Sequence, residues 1–312
     1  MHIRLNALFF YIVMKHCKQL IFVTCLIAFF TACSSDDNEE NYSSVNKNKN
    51  IVTNNSHITR LEFPRVKGGD MNMVLTSTTP DYGVTMSVEW DCNLKAQRWT
   101  CFSMYASNAV KNWNRHNWKN TEWKGDPFQE DKRIPQQYRT RLDQYRGSGY
   151  NRGHICASED RIYNKDANEQ TFYLSNIHPQ KYEFNAGIWL EMESKLRTWN
   201  RNDFRDTLYV CKGGTIDNAD QIIKTTPKGL IVPKYFYMAI LCKNHVKGNG
   251  GYKALAFWVE HDGNINKFTP LKNFVISIDE LEKKTGIDFF CNLPDDIEKK
   301  VEAKSVPSLW GL

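Results

Sequence analysis

The chain has 312 residues and a formal net charge of +6. The excess of positive charge suits a polyanionic partner without requiring one. Beyond residue 33 there is no CxxC or HxxxH spacing, which leaves a zinc site without support.

Residues 20 to 32, "LIFVTCLIAFFTA", form an apolar run of signal-peptide length preceded by Lys15 and Lys18. The run is too short for a comfortable permanent span of a bilayer. It ends in small residues directly before Cys33, the arrangement of a bacterial lipobox in which that cysteine carries lipid. The stretch beginning at Met14 is a complete lipoprotein signal by itself, so Met14 is a candidate start. An ordinary secretory signal with an incidental Cys33 is the alternative. Residues 33 to 58 are polar, lack the apolar side chains that would offset their ordering entropy, and are expected to form a flexible tether. The acidic start of this stretch resembles surface-export signals of some Gram-negative lipoproteins. Export to the outer membrane, facing the periplasm or the cell surface, is therefore expected.

The folded domain is expected over 59–312, a usual size for one core. Removing Arg4, Lys15 and Lys18 takes the charge from +6 to +3, and the tether contributes −2 (four acids, two lysines), so the domain carries +5. Six cysteines belong to it: Cys92, Cys101, Cys156, Cys211, Cys242 and Cys291. An even number in an exported chain suggests disulfides, with Cys92–Cys101, Cys211–Cys242 and Cys156–Cys291 as the expected pairs.

Along the domain, "GVTMSVEWDC" and "RWTCFSMYAS" read as a hairpin, and residues 111 to 146 as a long loop around "GDP". "TFYLSNI" reads as a strand. "FNAGIWLEMESKLRTWN" reads as one helix, with Ile188, Trp189, Met192, Leu196 and Trp199 at helical spacing. Three apolar runs follow, "TLYVC", "YFYMAILC" and "YKALAFWVE", the last two separated by the turn signal "KGNGG". "SIDELEKKTG" and "PDDIEKKVEAK" read as closing helices. The pattern is α+β with a largely antiparallel central sheet flanked by helices.

Within about forty residues lie "NRGH" (151–154), "SNIHPQ" (175–180), Asn185 and Glu193. Taken singly, each suits an ordinary structural role. Together they suit phosphodiester hydrolysis, which needs a water nucleophile, a base, and positive charge for the developing phosphorane. Neutral His154 can accept a proton near neutral pH. Magnesium keeps several waters, so one amide oxygen from Asn185 can suffice as its protein ligand. Glu193 is eight residues further along, about 12 Å of helical rise. Because helical side chains lean toward the N-terminus, it is assigned to the metal through a bound water. Arg152 can meet a phosphate oxygen or hold the network, and Asn176 would orient the site by hydrogen bonds.

The strings "SGYNRGHICASEDR", "YLSNIHPQ", "FNAGIWLEMESKLR", "LYVCKGG", "SIDELEKKTGIDFFCNLPDDIE" and the closing "WGL" resemble the DNA/RNA non-specific endonuclease family, the ββα-metal (His-Me finger) group that includes mitochondrial endonuclease G. The resemblance runs in order from about residue 60 to 312. It implies magnesium-dependent cleavage of DNA and RNA through backbone contacts, with 5′-phosphate products and Mn2+ as a substitute ion. It carries the base to His154, the metal ligand to Asn185, and supporting roles to Arg152, Asn176 and Glu193. Two positions depart from the family pattern. Asn151 stands where the family motif has aspartate. The family's phosphate-contacting arginine upstream of a "DP" pair has no counterpart at Thr121, which leaves Arg115 as the candidate. These departures motivate a second reading, a surface lipoprotein that binds nucleic acid but cuts it weakly, and behind it a third, a structural lipoprotein using the fold as scaffold. The oligomeric state is left open.

Overall fold

The computed structural model describes residues 44–244 and 249–312. The lipobox, Cys33 and the first part of the tether lie outside the described residues. Seven strands form one antiparallel sheet in the order β1-β2-β3-β6-β9-β10-β11. They are β1 (Asn72–Thr79), β2 (Gly83–Asp91), β3 (Ala96–Tyr105), β6 (Thr207–Gly214), β9 (Tyr235–Lys243), β10 (Tyr252–Glu260) and β11 (Val275–Ile276). Two short pairs stand apart: β4 (Asn151–His154) with β5 (Ile177–Gln180), and β7 (Ile222–Thr225) with β8 (Ile231–Pro233). The helices are α1 (Leu142–Tyr145), α2 (Lys165–Gln170), α3 (Tyr182–Asn185), α4 (Ile188–Trp199), α5 (Ile278–Thr285) and α6 (Asp295–Glu302).

The central strands are apolar on both faces, and strand alternation sorts them into two cores. Phe102, Leu208, Val210, Met238, Ile240, Leu255 and Phe257 pack under α4, whose Ile188, Trp189, Met192, Leu196 and Trp199 form the facing stripe. Trp99, Cys101, Cys211, Tyr237, Ala239 and Leu241 point the other way, onto Ile278 and Leu281 of α5 and Ile297 and Val301 of α6. Ser277 caps α5 by accepting from the Glu280 N–H at 3.1 Å, and Gly286 ends it in the left-handed region at φ 68°.

The two predicted hairpins are present: β2 pairs with β3, and β9 with β10. Two expectations need correction, and one strand was missed. "TFYLSNI" is a 3-10 turn over Leu174–Asn176 followed by strand only from Ile177, because its buried polar groups bond locally rather than in a ladder. β1 carries no clear sequence signal; its "NMVLTSTT" is a half-polar edge strand with weak apolar alternation. The tether does not extend to residue 58. The Asn46 amide donates to the Cys291 carbonyl at 2.9 Å, Asn48 donates to Glu298 at 2.8 Å, and Asn50 donates to the Ile58 and Pro64 carbonyls at 3.0 Å. Asparagines with the composition of a solvated linker therefore dock onto folded segments, two of them at the C-terminal end.

The predicted disulfides are also overturned: all six described cysteines are free and buried. Register explains each failure. Cys101 lies opposite Ser87, while Cys92 falls five residues further along, roughly 17 Å away at strand rise. Cys211 lies opposite Ala239, so Cys242 is offset by an odd number of residues and faces the other core. Cys156 packs under α4, whereas Cys291 sits in the opposite layer beside the Phe63 carbonyl. Burial pushes the Cys156 thiol up to about 11 and Cys242 up to about 12, which makes both inert. Thiol titration should therefore find these six cysteines unreactive in the native protein and all reactive after unfolding without reductant. Fewer than six would mean disulfides the fold does not contain.

Candidate active site

β4 and β5 pair antiparallel, with Gly153 opposite His178 and His154 opposite Ile177. Glycine at 153 leaves room for the buried Gln180 side chain, which a Cβ 2.2 Å away would displace. Beyond His154 the chain is clamped by Asn176. The Asn176 Oδ1 accepts from the Cys156 N–H at 2.9 Å, and its Nδ2 donates to the Cys156 and Thr171 carbonyls, both at 2.9 Å. Asn176 is fully buried and does not line the cavity. The structure thus places it behind the site, where it holds the backbone two residues past His154.

The predicted single helix is broken. α3 ends at Asn185, and Gly187 turns the chain at φ −109° and ψ −116°, where a Cβ would meet the Glu183 carbonyl at 2.2 Å. α4 starts afresh at Ile188. The break removes the expected 12 Å separation along one axis, and Asn185 and Glu193 line the same cavity of about 270 Å³. His154, Arg115 and Arg197 line it too. Asn185 caps neither helix, and its side chain has no partner among the described residues.

The His154 ring stands between Phe128 and Phe172, with centroids at 5.3 and 5.1 Å. Its Nε2 is buried and has no hydrogen-bond partner. The Trp189 indole donates to the His154 carbonyl at 3.2 Å and ties the residue to α4. Burial, then the positive charges of Arg115, Lys212 and Arg152, hold the imidazole well below its ordinary pKa, so it is neutral near pH 7. Arg115 lies on a 3-10 turn with its guanidinium 5.2 Å from the centre of the Phe172 ring. It makes no ion pair among the described residues. Arg152 is instead engaged: it donates to Asp126 at 2.6 Å and lies 4.0 Å over Phe128. These two residues and Asn151 line an adjoining cavity of about 460 Å³ that shares Asn185.

Two residues were missed from sequence, one behind the cavity and one lining it. Lys212, inside "LYVCKGG" on β6, is fully buried and donates to Glu193 at 2.8 Å. A lysine within an apolar strand was the available signal. Burial pushes the Glu193 carboxyl up, and Lys212 opposes that shift. Arg197, one turn after Glu193, donates to Asp160 at 3.1 Å.

The sequence profile of the DNA/RNA non-specific endonuclease family matches residues 72–296. The chain belongs to that family. It is 32% identical over 198 residues to a mitochondrial nuclease of Saccharomyces cerevisiae, covering 60% of each chain. It is 31% identical over 172 residues to nuclease C1 of Cunninghamella echinulata var. echinulata, covering 53% of this chain and 67% of that one. Human mitochondrial endonuclease G is 28% identical over 174 residues, covering 53% and 57% respectively. The chain thus spans about 60% of the yeast relative's length. A chain in the crystal structure of the EndoG/EndoGI complex superposes with a TM-score of 0.60 at 21% identity, covering 78% of this chain and 94% of that one. The fold is the α+β ββα-metal nuclease fold expected from the sequence.

Members of this family use a divalent metal, and the cavity fits one. Asn185 offers an amide oxygen with no partner among the described residues, and Glu193, one oxygen of which accepts from Lys212, offers a carboxylate on the same cavity. No His, Cys, Asp or Glu triad is present there among the described residues. An ion that keeps most of its water suits that donor set better than a fully caged one. The Lys212–Glu193 pair should matter for stability. Lys212→Met leaves a buried carboxylate unpaired and should cost about 3–5 kcal/mol. Adding Glu193→Gln should restore much of that in chemical denaturation, whereas a simple packing role would make the two losses add.

Proposed function

We propose that this chain is an exported endonuclease that hydrolyses DNA and RNA without base preference. In this reading His154 is the general base and Asn185 holds one hydrated magnesium ion. The observation that carries it is the single cavity lined by His154, Arg115, Asn185 and Glu193. Family membership supports the same chemistry.

The Nε2 of His154 is sealed among aromatic rings, so Nδ1 is the nitrogen left to accept a proton from water. A neutral ring is needed for this, and burial keeps it neutral. A phosphodiester anion entering the cavity favours the protonated ring and raises its affinity for the proton as the reaction proceeds. Arg115, which makes no ion pair among the described residues although Glu159 lines the same cavity, is the side chain we assign to a phosphate oxygen. Arg152 is held by Asp126 and lines the neighbouring cavity, where it can receive the next stretch of backbone. Asn185 and Glu193 would hold magnesium, with manganese as a substitute; when bound, the ion supplies positive charge for the developing phosphorane and the leaving oxygen. The products are 5′-phosphates. Cys33 would carry the lipid anchor to the outer membrane, on the strength of the lipobox alone.

A weak-binding alternative rests on Asn151, whose amide keeps an acceptor oxygen but lacks the charge of aspartate. One assay separates the two. Circular plasmid and RNA should both be degraded with Mg2+ and spared with EDTA, and His154→Ala should lose about 10²–10⁴-fold in rate while remaining folded. A folded wild type that retards DNA in a gel and cuts neither polymer would establish the binder.

The pH profile gives a second test. Because the His154 pKa is depressed, its base form persists below the ordinary 6.5, so the acid limb of kcat/KM should lie below that value. Removing positive charge raises the pKa, so Arg115→Ala should move the limb upward as well as weaken substrate binding. An unmoved limb would mean that another group sets it.

A further inference from the structure

We infer that α5 and α6 together form a second divalent-cation site, of calcium type, on the sheet face opposite the nuclease cavity. One carboxylate oxygen each from Asp279, Glu282 and Glu302 lies within 4.8 Å of the other two. Two oxygens on opposite sides of a calcium ion stand roughly 4.6–5.2 Å apart, so one ion can touch all three.

The fold by itself accounts for two of these acids. Asp279 lies in the first turn of α5, where the helix dipole favours negative charge. Glu282 accepts from the Phe289 N–H at 2.8 Å. Glu302 has no such role. It is only 4% exposed, it ends α6 rather than starting it, and its buried Oε1 has no hydrogen-bond partner. No lysine or arginine pairs with any of the three among the described residues. Glu298 and Asp288 add further negative charge nearby, tied to each other only through the Asn48 amide, whose own Oδ1 is also buried and unpartnered. Desolvation and the neighbouring carboxylates push Glu302 up to about 11, Glu282 up to about 8 and Glu298 up to about 7.

A buried carboxylate aimed at two others, with no donor, is stable only if a proton or a cation neutralises it. Three carboxylates from two helices suit calcium, which accepts six to eight oxygens in flexible geometry. Magnesium keeps more water and takes one or two carboxylates. The ion would clip the two helices that cover this face of the sheet. This site stands apart from the nuclease reading, since its donors belong to other elements.

The test is calorimetric titration of Ca2+ into the EDTA-stripped and dialysed chain, with thermal melts alongside. A binding event should appear in wild type and survive Asn185→Ala. It should weaken by roughly tenfold or more in Glu302→Gln and in Asp279→Asn. Saturating Ca2+ should raise the melting temperature of wild type by a few degrees and leave Glu302→Gln unmoved. Without metal, Glu302→Gln should melt at or above wild type, because the substitution removes repulsion, which keeps the variant informative. Binding that disappears in Asn185→Ala but persists in Glu302→Gln would overturn the site. So would the absence of any Ca2+ binding, with wild type gaining stability only as the pH falls toward 5. Neither readout uses catalysis, so failure of the nuclease assay would leave this result standing.

Discussion

A lysine on the sheet and a glutamate on the helix above it meet at 2.8 Å, and the cavity is organised about that contact. Lys212 comes from the middle of β6, in a largely apolar stretch, and it lies 5.0 Å from the centre of the Trp189 ring. Leaving such a charge unpaired would cost several kcal/mol. α4 must therefore lie with Glu193 over that point of the strand. The same helix carries Trp189, which holds the His154 carbonyl, so one ion pair sets the height and rotation of an element that touches His154 directly.

The sheet imposes the complementary demand. Its central strands are apolar on both faces, so both must be covered. α4 covers one, α5 and α6 the other, and the short β4–β5 pair brings His154 to the edge of α4. The candidate cavity occupies the side where a polar helix face meets this small hairpin. On the opposite side α5 and α6 bring carboxylates together with few donors between them, a separate electrostatic cost in the same architecture.

The polar groups around His154 divide their work. Asn176 spends every hydrogen bond on backbone and gives the ring a fixed platform. Phe128 and Phe172 exclude water from one ring nitrogen. Arg115 and Arg152 differ although both lie near His154: Asp126 holds Arg152, while Arg115 lies against an aromatic ring and feels Glu159 without an ion pair to it among the described residues. An arginine with no ion pair among the described residues suits a charge arriving from outside the protein.

Sequence by itself determined the element types with strong periodicity, the apolar face of α4, both closing helices, and three side chains, His154, Asn185 and Glu193, that share one cavity. These follow from local patterning and from residue chemistry, which a linear string records. Tertiary structure decided what depends on register and on close approach. Strand parity sent Cys211 and Cys242 to opposite faces. The Gly187 break, forced by the Glu183 carbonyl, brought Asn185 and Glu193 to one cavity. Lys212 passes unnoticed in the sequence because its partner, nineteen residues away in the chain, is placed over it only by the fold. Asparagines 46, 48 and 50 read as linker because their partners lie some 240 residues away in the chain. Whether a polar residue is solvated or satisfied depends on what folds against it, and that information is not local.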